Sequence, residues 1–218
     1  MKDFSPMAIE KDFFRQVMGR FTTGVTVVTT NNQGTLAGLT VNAFCSVSHH
    51  PPLVLVCVDC TSNTLPHFRA SKAFAVNMLT KEQEYLSRCF ATHSKDRFEH
   101  FCHATYHRAA TGAPVLDNVL AFIDARIIAE YPGGDHVIFL GQVEAMGTPD
   151  HIVFANEEDS ELSTLPVPDA ADQENNQPLV FYCGEYRHLA SQYKKPSLAA
   201  YYNEEFERQA SNKQNSSS

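Results

Sequence analysis

The sequence predicts a mainly β (α+β) fold, a β-barrel with peripheral helices, from three observations. Apolar and β-branched segments with the length and composition of strands recur along the chain. Turn signals rich in Gly, Pro, Asn and Asp separate several of them at hairpin spacing. Few segments show the apolar spacing of an amphipathic helix.

The N-terminal part is predicted as a helix followed by strands. Apolar residues recur every four positions from Ile9 to Phe21, and Phe14 and Met18 widen this apolar face. The predicted strands are residues 24–30, 35–43 and 52–58, of which the first two form a hairpin around a turn at 31–34.

The rest of the chain alternates helices and strands before a polar tail. Helices are predicted at 65–70 and 81–90, and strands at 74–79, 119–129, 136–146, 152–154 and 179–183. A turn is predicted at 131–135. We expect one domain over residues 9–190, with an acidic insertion at about 146–177 and a disordered tail at 203–218.

Charge is distributed unevenly along the chain. The 218 residues include 17 Lys and Arg and 25 Asp and Glu, which gives a formal net charge of −8. Residues 127–186 contain no Lys or Arg but 12 of the acidic residues, so the rest has four more basic than acidic residues. This pattern disfavours nucleic-acid binding, which needs many phosphate contacts. The basic part can still hold one small anion.

Compartment and membrane contact are predicted from absences and from cysteine usage. The N-terminal residues lack the apolar core of a secretory signal, and no apolar run approaches the roughly 20 residues that cross a bilayer. Several of the six cysteines lie within apolar segments, which favours small buried side chains over a disulfide framework. We therefore expect a cytoplasmic protein that does not contact membranes.

Two local motifs carry candidate chemistry. The hydroxyl-rich run Thr61, Ser62, Asn63 and Thr64 precedes a predicted helix, where hydroxyls and backbone N–H groups can hold a phosphate. The alternative is that Thr61 or Ser62 only caps this helix. His136 follows a Gly-rich turn at the start of a strand, where it can contact a ligand, or it can simply face solvent.

Seven segments in order resemble the flavin reductase-like family, the reductase component of two-component flavin-dependent monooxygenases. These segments are residues 14–30, 38–48, 51–54, 61–64, 74–79, 114–116 and 134–143. The resemblance runs from about residue 13 to 143 and resumes at 178–189. It implies an FMN-binding split β-barrel, usually a homodimer, that reduces FMN or FAD with NADH or NADPH.

The resemblance also implies roles for individual residues. Thr40, Val41, Asn42, Ala43 and Ser46 match the segment that lines the isoalloxazine ring. The matches to the phosphate-binding stretch and the strand beside it are Cys60, Thr61, Ser62, Asn63, Thr64 and Asn77. Arg97 and Phe98 resemble a basic–aromatic pair near the nucleotide, Tyr186 and Arg187 match late residues near the flavin, and His136 matches the nicotinamide-side histidine.

The implied reaction is hydride transfer from reduced nicotinamide to FMN or FAD, with reduced flavin supplied to a separate monooxygenase. Cofactors carry this chemistry, so no catalytic triad or carboxylate pair is needed. Two alternatives stay open: a non-catalytic flavin-binding electron-relay protein, and an oxidoreductase that acts on another small molecule with tightly bound flavin. The residues do not distinguish FMN from FAD or NADH from NADPH.

Two further patterns have competing interpretations. His100, His103 and His107 have a spacing that can share a helical face and bind a metal, but no carboxylate or Cys pair reinforces this, so we expect no metal site. Cys57 and Cys60 have the spacing of a redox motif without the usual strand–loop–helix setting, so we expect buried packing instead.

Overall fold

The computed structural model describes residues 9–148, 151–155 and 177–189. Its helices are α1 (Lys11–Met18), α2 (Leu65–Ser71), α3 (Glu84–Ala91) and α4 (Lys95–Phe98). Its strands are β1 (Thr23–Gly24), β2 (Thr26–Asn32), β3 (Thr35–Val41), β4 (Phe44–His49), β5 (Pro52–Asp59), β6 (Ala73–Met78), β7 (Tyr106–Arg108), β8 (Pro114–Leu116), β9 (Ala121–Gly133), β10 (His136–Thr148), β11 (His151–Phe154), β12 (Val180–Tyr182) and β13 (Glu185–Arg187).

The main sheet is antiparallel throughout and curls into a barrel. Its strand order is β3-β2-β6-β9-β10-β5-β4, and β11 pairs with β10 outside this path. Strand β3 at one edge contacts β5 near the other edge, which brings the two sides of the sheet together. Smaller sheets form from β1, β12 and β13 and from β7 and β8. The predicted mainly β barrel with peripheral helices is confirmed.

Both faces of the central strands are buried. Val27 and Val28 are neighbours on β2 and point to opposite faces, yet both are completely buried. Val28 belongs to the cluster that includes Phe74 and Phe139, whereas Val27 belongs to a second cluster with Phe90 of α3. The helices therefore cover a barrel wall that has apolar side chains on both sides.

Two glycines of the barrel strands permit close packing of aromatic rings. A Cβ on Gly141 of β10 would lie 2.6 Å from the ring of Phe74, and a Cβ on Gly38 of β3 would lie 2.8 Å from the ring of Phe90. Both rings are completely buried and have little room to move. The missing side chain at Gly38 therefore lets α3 pack directly against β3.

The element boundaries depart from the predictions in several places. Helix α1 is shorter than predicted, and none of its side chains is buried in the described structure. Strand β4 was not predicted, and the turn between β9 and β10 is only two residues long rather than residues 131–135. The β9–β10 pairing extends to Pro132, which lies opposite Val137 and was predicted to be part of the turn.

Part of the range predicted as an insertion lies in the main sheet. Residues of β10 continue to Thr148, and β11 pairs back onto β10, so this part of the 146–177 range belongs to the main sheet. Residues 156–176 and the predicted tail at 203–218 lie outside the described residues. Within the described ranges, no helix has the length and apolar character needed to span a membrane.

The cysteines differ from the expected buried, unpaired state. Cys89 of α3 and Cys102 form a disulfide, and Cys45, Cys60 and Cys183 are exposed. Cys57 is half-buried, and burial raises the pKa of its thiol. The expectation of buried packing is therefore wrong for Cys60, because its position just beyond the end of β5 exposes it. Cys89 and Cys102 are 13 residues apart, and the packing of α3 against the segment that follows it brings them together.

Candidate functional site

The segment after β5 forms a tight polar turn around Asp59. The carboxylate of Asp59 accepts hydrogen bonds from the backbone N–H and the hydroxyl of Thr61, at 2.7 and 2.6 Å. The N–H of Ser62 donates to the Asp59 carbonyl at 3.0 Å, and the hydroxyl oxygen of Ser62 accepts from the N–H of Thr64 at 3.3 Å. The hydrogen bonds from Thr61 lower the pKa of Asp59, so this carboxyl is ionised at neutral pH.

The capping interpretation of this segment is wrong. Helix α2 begins at Leu65, its N-cap position is Thr64, and the Thr64 side chain makes no capping hydrogen bond. Thr61 uses its donors on Asp59 instead. Within the described residues, the backbone N–H of the exposed Asn63 makes no hydrogen bond, so it is the donor that this turn leaves for a ligand.

Arg97 lies directly behind this turn and is only 5% exposed. Its guanidinium donates from Nη2 to the Thr64 hydroxyl at 2.9 Å, from Nε to the Gly38 carbonyl at 3.0 Å and from Nη1 to the Thr92 carbonyl at 3.2 Å. Burial lowers the pKa of Arg97, which nevertheless stays charged. No carboxylate forms an ion pair with it in the described part of the chain.

Three segments that are distant in sequence therefore meet at the carbonyl of Gly38. This oxygen accepts from Arg97 and also from the hydroxyl of Thr64, which is 1% exposed and 3.4 Å away. A nearly buried cation without a carboxylate partner is costly, and an anion held beside it reduces that cost. The electrostatics of this turn thus fit a phosphate group.

His136 lies at the same end of the barrel as this turn. As the first residue of β10, it pairs with Asp59 in the β5–β10 ladder, and the N–H of Cys60 donates to the Asp135 carbonyl at 2.9 Å. His136 donates from Nδ1 to the Asp135 carboxylate at 2.7 Å, and this hydrogen bond lowers the pKa of Asp135. The His136 side chain is 40% exposed, which leaves Nε2 for a ligand. We call residues 59–64, Arg97, Asp135 and His136 the polar end.

Two cavities lie at the other end of the site and meet at Asn42. The larger, of about 680 Å³, lies between α1 and the β4–β5 region and includes Asn42 and Ala43 in its lining. The smaller, of about 370 Å³, shares Phe21, Thr23, Asn42 and Phe44 with it. Both linings are mainly apolar, with few polar groups, which suits a flat aromatic ligand with a polar edge. We call these two cavities and the apolar face of α1 the apolar end.

A third cavity, of about 200 Å³, places Tyr186 beside the predicted ring-binding segment. Thr40, Val41, Asn42 and Tyr186 all line it. The Thr40 hydroxyl donates to the Ser87 carbonyl at 2.6 Å, and the hydroxyls of Ser87 and Tyr186 hydrogen-bond at 2.8 Å. Ser87 of α3 therefore links Tyr186 of β13 to Thr40 of β3.

Four other predicted residues are not among the groups that define these two ends. Asn77 is completely buried; its amide donates to the Val27 carbonyl and the Thr29 hydroxyl and accepts from the Leu116 N–H, so it joins strands and does not line an open site. Ser46 lies exposed on β4, and Phe98 is exposed beside Arg97. Arg187 is exposed and forms an ion pair with Glu185.

The histidines proposed as an alternative metal site do not converge. The rings of His100 and His103 stack with centroids 5.2 Å apart, whereas Nδ1 of His107 contacts the Asp117 carboxylate at 3.1 Å. Among the residues that the structure describes, no group of three or more His, Cys, Asp or Glu side chains could hold a metal ion.

The site also includes Asp59, Thr23 and the carbonyl of Gly38, which were not predicted from the sequence. Asp59 was detectable, since it immediately precedes the predicted phosphate-binding stretch and can accept from the N–H two residues later. The Gly38 carbonyl and Thr23 had no local signal, because their roles depend on segments that only the folded barrel brings together.

Comparisons with known proteins identify the family of this chain. The model of the flavin reductase like domain family matches residues 18–190. The actinorhodin polyketide dimerase of Streptomyces coelicolor is 38% identical over 64% of this chain and 78% of its own. The reductase subunit HsaB of a flavin-dependent monooxygenase of Mycobacterium tuberculosis is 30% identical over 87% of this chain and 88% of its own.

A solved structure supports the same assignment. The NADH:FAD oxidoreductase SgcE6 of Streptomyces globisporus C-1027, in complex with NAD and FAD fragments, superposes with a TM-score of 0.66 at 32% identity. The match covers 83% of this chain and 93% of that one. Its split-barrel-like fold agrees with the barrel described above. The chain therefore belongs to the flavin reductase-like family.

Proposed function

We propose that this chain is an NAD(P)H:flavin oxidoreductase that reduces FMN or FAD and supplies the reduced flavin to a separate monooxygenase. Family membership and the names of the relatives support the reaction and the monooxygenase partner. The observation that carries the proposal within this chain is the polar end, where buried Arg97 has no carboxylate partner in the described structure.

Arg97 and the turn before α2 fit the flavin phosphate. The guanidinium has five N–H donors, of which three are used within the protein, and its charge is uncompensated locally. The Asn63 N–H adds a donor at the exposed side of the turn. We infer that Ser62 and Asn63 hold the phosphate, while buried Thr64 positions Arg97 behind them and Asp59 keeps Thr61 in position.

The apolar end fits the ring system of the flavin. Asn42 lines all three cavities, and Ala43 adds a small side chain that permits close approach of a flat ring. Next to Asn42, Ser87 accepts a hydrogen bond from Thr40 through its carbonyl and hydrogen-bonds Tyr186 through its hydroxyl. We place the isoalloxazine over Asn42 and Ala43.

His136 is placed to orient the nicotinamide. A bound flavin supplies the redox chemistry of the site by accepting a hydride from the reduced nicotinamide. Ionised Asp135 fixes the proton of His136 on Nδ1, so the imidazole presents Nε2 outward. In this role His136 orients a substrate amide or stabilises negative charge, and it need not transfer a proton.

The apolar face of α1 supports a homodimer. Ile9, Phe13, Phe14, Val17, Met18 and Phe21 are all at least half exposed. A contiguous apolar face of this kind is typical of an interface, and a second copy of the chain is the commonest partner of such a surface. The same helix lines the larger cavity, so a dimer contact there would lie beside the ring site.

The cytoplasmic location remains a prediction. NADH and NADPH as reductants favour it, whereas the Cys89–Cys102 disulfide is unusual in that compartment.

A second candidate function is an oxidoreductase that acts on another small molecule with bound flavin. Similarity to a protein named actinorhodin polyketide dimerase favours this alternative, since that name describes a product other than reduced flavin. A third alternative is a non-catalytic electron-relay protein that keeps its flavin tightly bound.

Steady-state oxidation of NADH and NADPH, each with FMN and with FAD, tests the proposal. We expect the rate to rise with added flavin and to saturate for at least one of the four combinations. A rate that is independent of added flavin, in a protein purified with bound flavin, would support tightly bound flavin instead. The absence of oxidation in all four combinations would contradict the proposed reaction.

A further inference from the structure

The hydroxyl of Thr23 is buried and has no hydrogen-bond partner in the described structure. Thr23 lies on the two-residue strand β1, where it pairs with Phe181 of β12. Its backbone is therefore held in a sheet, while its side-chain oxygen is withdrawn from solvent without compensation. Among the described side chains, Nδ1 of His67 is the other buried polar atom in this state.

The neighbouring threonines show that this fold otherwise satisfies buried hydroxyls. Thr26 donates to the Val41 carbonyl at 2.8 Å, and Thr30 donates to the Ala73 carbonyl at 2.8 Å. A buried hydroxyl without a partner destabilises the folded state, because its hydrogen bonds to water are lost and not replaced. The exception at Thr23 thus identifies a hydroxyl whose hydrogen-bonding capacity the described chain leaves unused.

The position of Thr23 indicates what that partner is. Thr23 and Asn42 lie where the two apolar cavities of about 680 and 370 Å³ meet. Phe21 and Phe44 complete this junction, so a flat ligand there would contact aromatic rings and only a few polar groups. One hydroxyl in such surroundings fits the polar edge of a ring system with carbonyl oxygens and ring nitrogens.

We propose that Thr23 is a flavin-binding residue whose hydroxyl hydrogen-bonds the polar edge of the isoalloxazine. This inference rests on the proposed function, which places the ring over Asn42 and Ala43. Thr23 approaches the ring from β1, outside the β3–β4 segment that the family resemblance assigns to it. Its hydrogen bond fixes the orientation of the ring in the cavity, because the other contacts at the junction are largely apolar and non-directional.

The test compares Thr23→Val, which keeps the shape and removes the hydroxyl, with Thr23→Ser, which keeps the hydroxyl. Thr35→Val, at an exposed position in the β2–β3 hairpin, is the matched control. Affinities for FMN and FAD are measured by quenching of flavin fluorescence, and Tm is measured without flavin. We expect Thr23→Val to weaken flavin binding about 2–10-fold. Its Tm should be unchanged or higher, since an unpartnered polar group is removed.

The outcomes separate this inference from the proposed function. If the unsubstituted protein binds neither FMN nor FAD, the proposed function fails. If it binds flavin and Thr23→Val binds equally tightly, only the role of Thr23 is overturned. If Thr23→Val weakens dimerisation and leaves flavin affinity unchanged, a second copy of the chain satisfies the hydroxyl, and the inference is again wrong. Retention of wild-type affinity by Thr23→Ser completes the expected pattern.

Discussion

The two ends of the site are built in opposite ways. At the polar end, the side chains of Asp59, Thr61, Thr64 and Arg97 hydrogen-bond one another or backbone carbonyls. At the apolar end, the cavities are open, α1 has no buried side chain, and the Thr23 hydroxyl lacks a partner in the described chain. The polar end is therefore held together by contacts within the chain, whereas the apolar end is where we place the proposed flavin ring and the proposed second copy.

The largest effect is expected at the polar end. Arg97→Met leaves the Thr64 hydroxyl and the carbonyls of Gly38 and Thr92 without this donor, so the free energy of unfolding should fall by about 2–4 kcal/mol. Flavin affinity should fall about tenfold or more as the local positive charge is lost. Chemical denaturation and flavin titration measure the two effects.

The control for Arg97 is Arg126→Met, which removes an exposed cation that pairs with Glu144 at 3.0 Å. A surface ion pair contributes little, so stability should change by less than about 1 kcal/mol and flavin affinity should not change. If Arg97→Met and Arg126→Met show the same stability and the same flavin affinity, Arg97 does not organise the polar end.

The second prediction tests whether the apolar face of α1 is a dimer interface. Phe13 is 61% exposed on α1, and Phe13→Ala should raise the dimer dissociation constant about tenfold or more if this face is the interface. Sedimentation velocity over a concentration series measures the change, with Gln16→Ala on the same helix as the control. A parent protein that stays monomeric at all concentrations would rule out the homodimer.

The third prediction separates binding from hydride transfer within the polar end. His136→Ala should lower kcat/KM for the preferred nicotinamide about tenfold while flavin affinity is kept, because in the proposed mechanism His136 orients the second substrate. His107→Ala is a matched control, since His107 also contacts an aspartate through Nδ1 but lies apart from the site. An unchanged kcat/KM in His136→Ala removes this residue from the mechanism.

The smallest effect is expected at Asp59. Hydrogen bonds from Thr61 lower its pKa in the folded state, so its contribution to stability is complete above the usual Asp pKa and is lost as the pH falls through the lowered value. As the pH is lowered, the Tm of Asp59→Asn should therefore fall slightly less than the Tm of the parent protein. Asp96→Asn, at an exposed carboxylate on α4, serves as the control. Superimposable Tm–pH curves for Asp59→Asn and the parent would contradict this assignment.

The sequence predicted features that depend on local patterns. The β2–β3 hairpin around residues 31–34 is confirmed, because alternation and turn chemistry are encoded over a few residues. The resemblance also predicted the family, which the family match confirms. The roles assigned to individual residues stay predictions, although the structure brings Thr64, Arg97 and His136 to one end of the barrel.

Features that depend on burial were not predictable in this way. Asn77 was expected near the cofactor, yet its amide is buried among strands, which no local pattern indicates. The stripe on α1 has the spacing of a core-facing helix, but the same spacing serves a face directed away from the chain's own core. Amphipathicity predicts that a surface will be covered and does not identify what covers it.

The carbonyl of Gly38 has a consequence for how the protein folds. Its hydrogen-bond donors come from Thr64, 26 residues away, and Arg97, 59 residues away. Such non-local contacts form only after long loops have closed, and loop closure slows folding. Flavin affinity should consequently appear late in refolding, after most β-sheet circular dichroism has returned, so that cofactor capture reports the final docking step of the barrel.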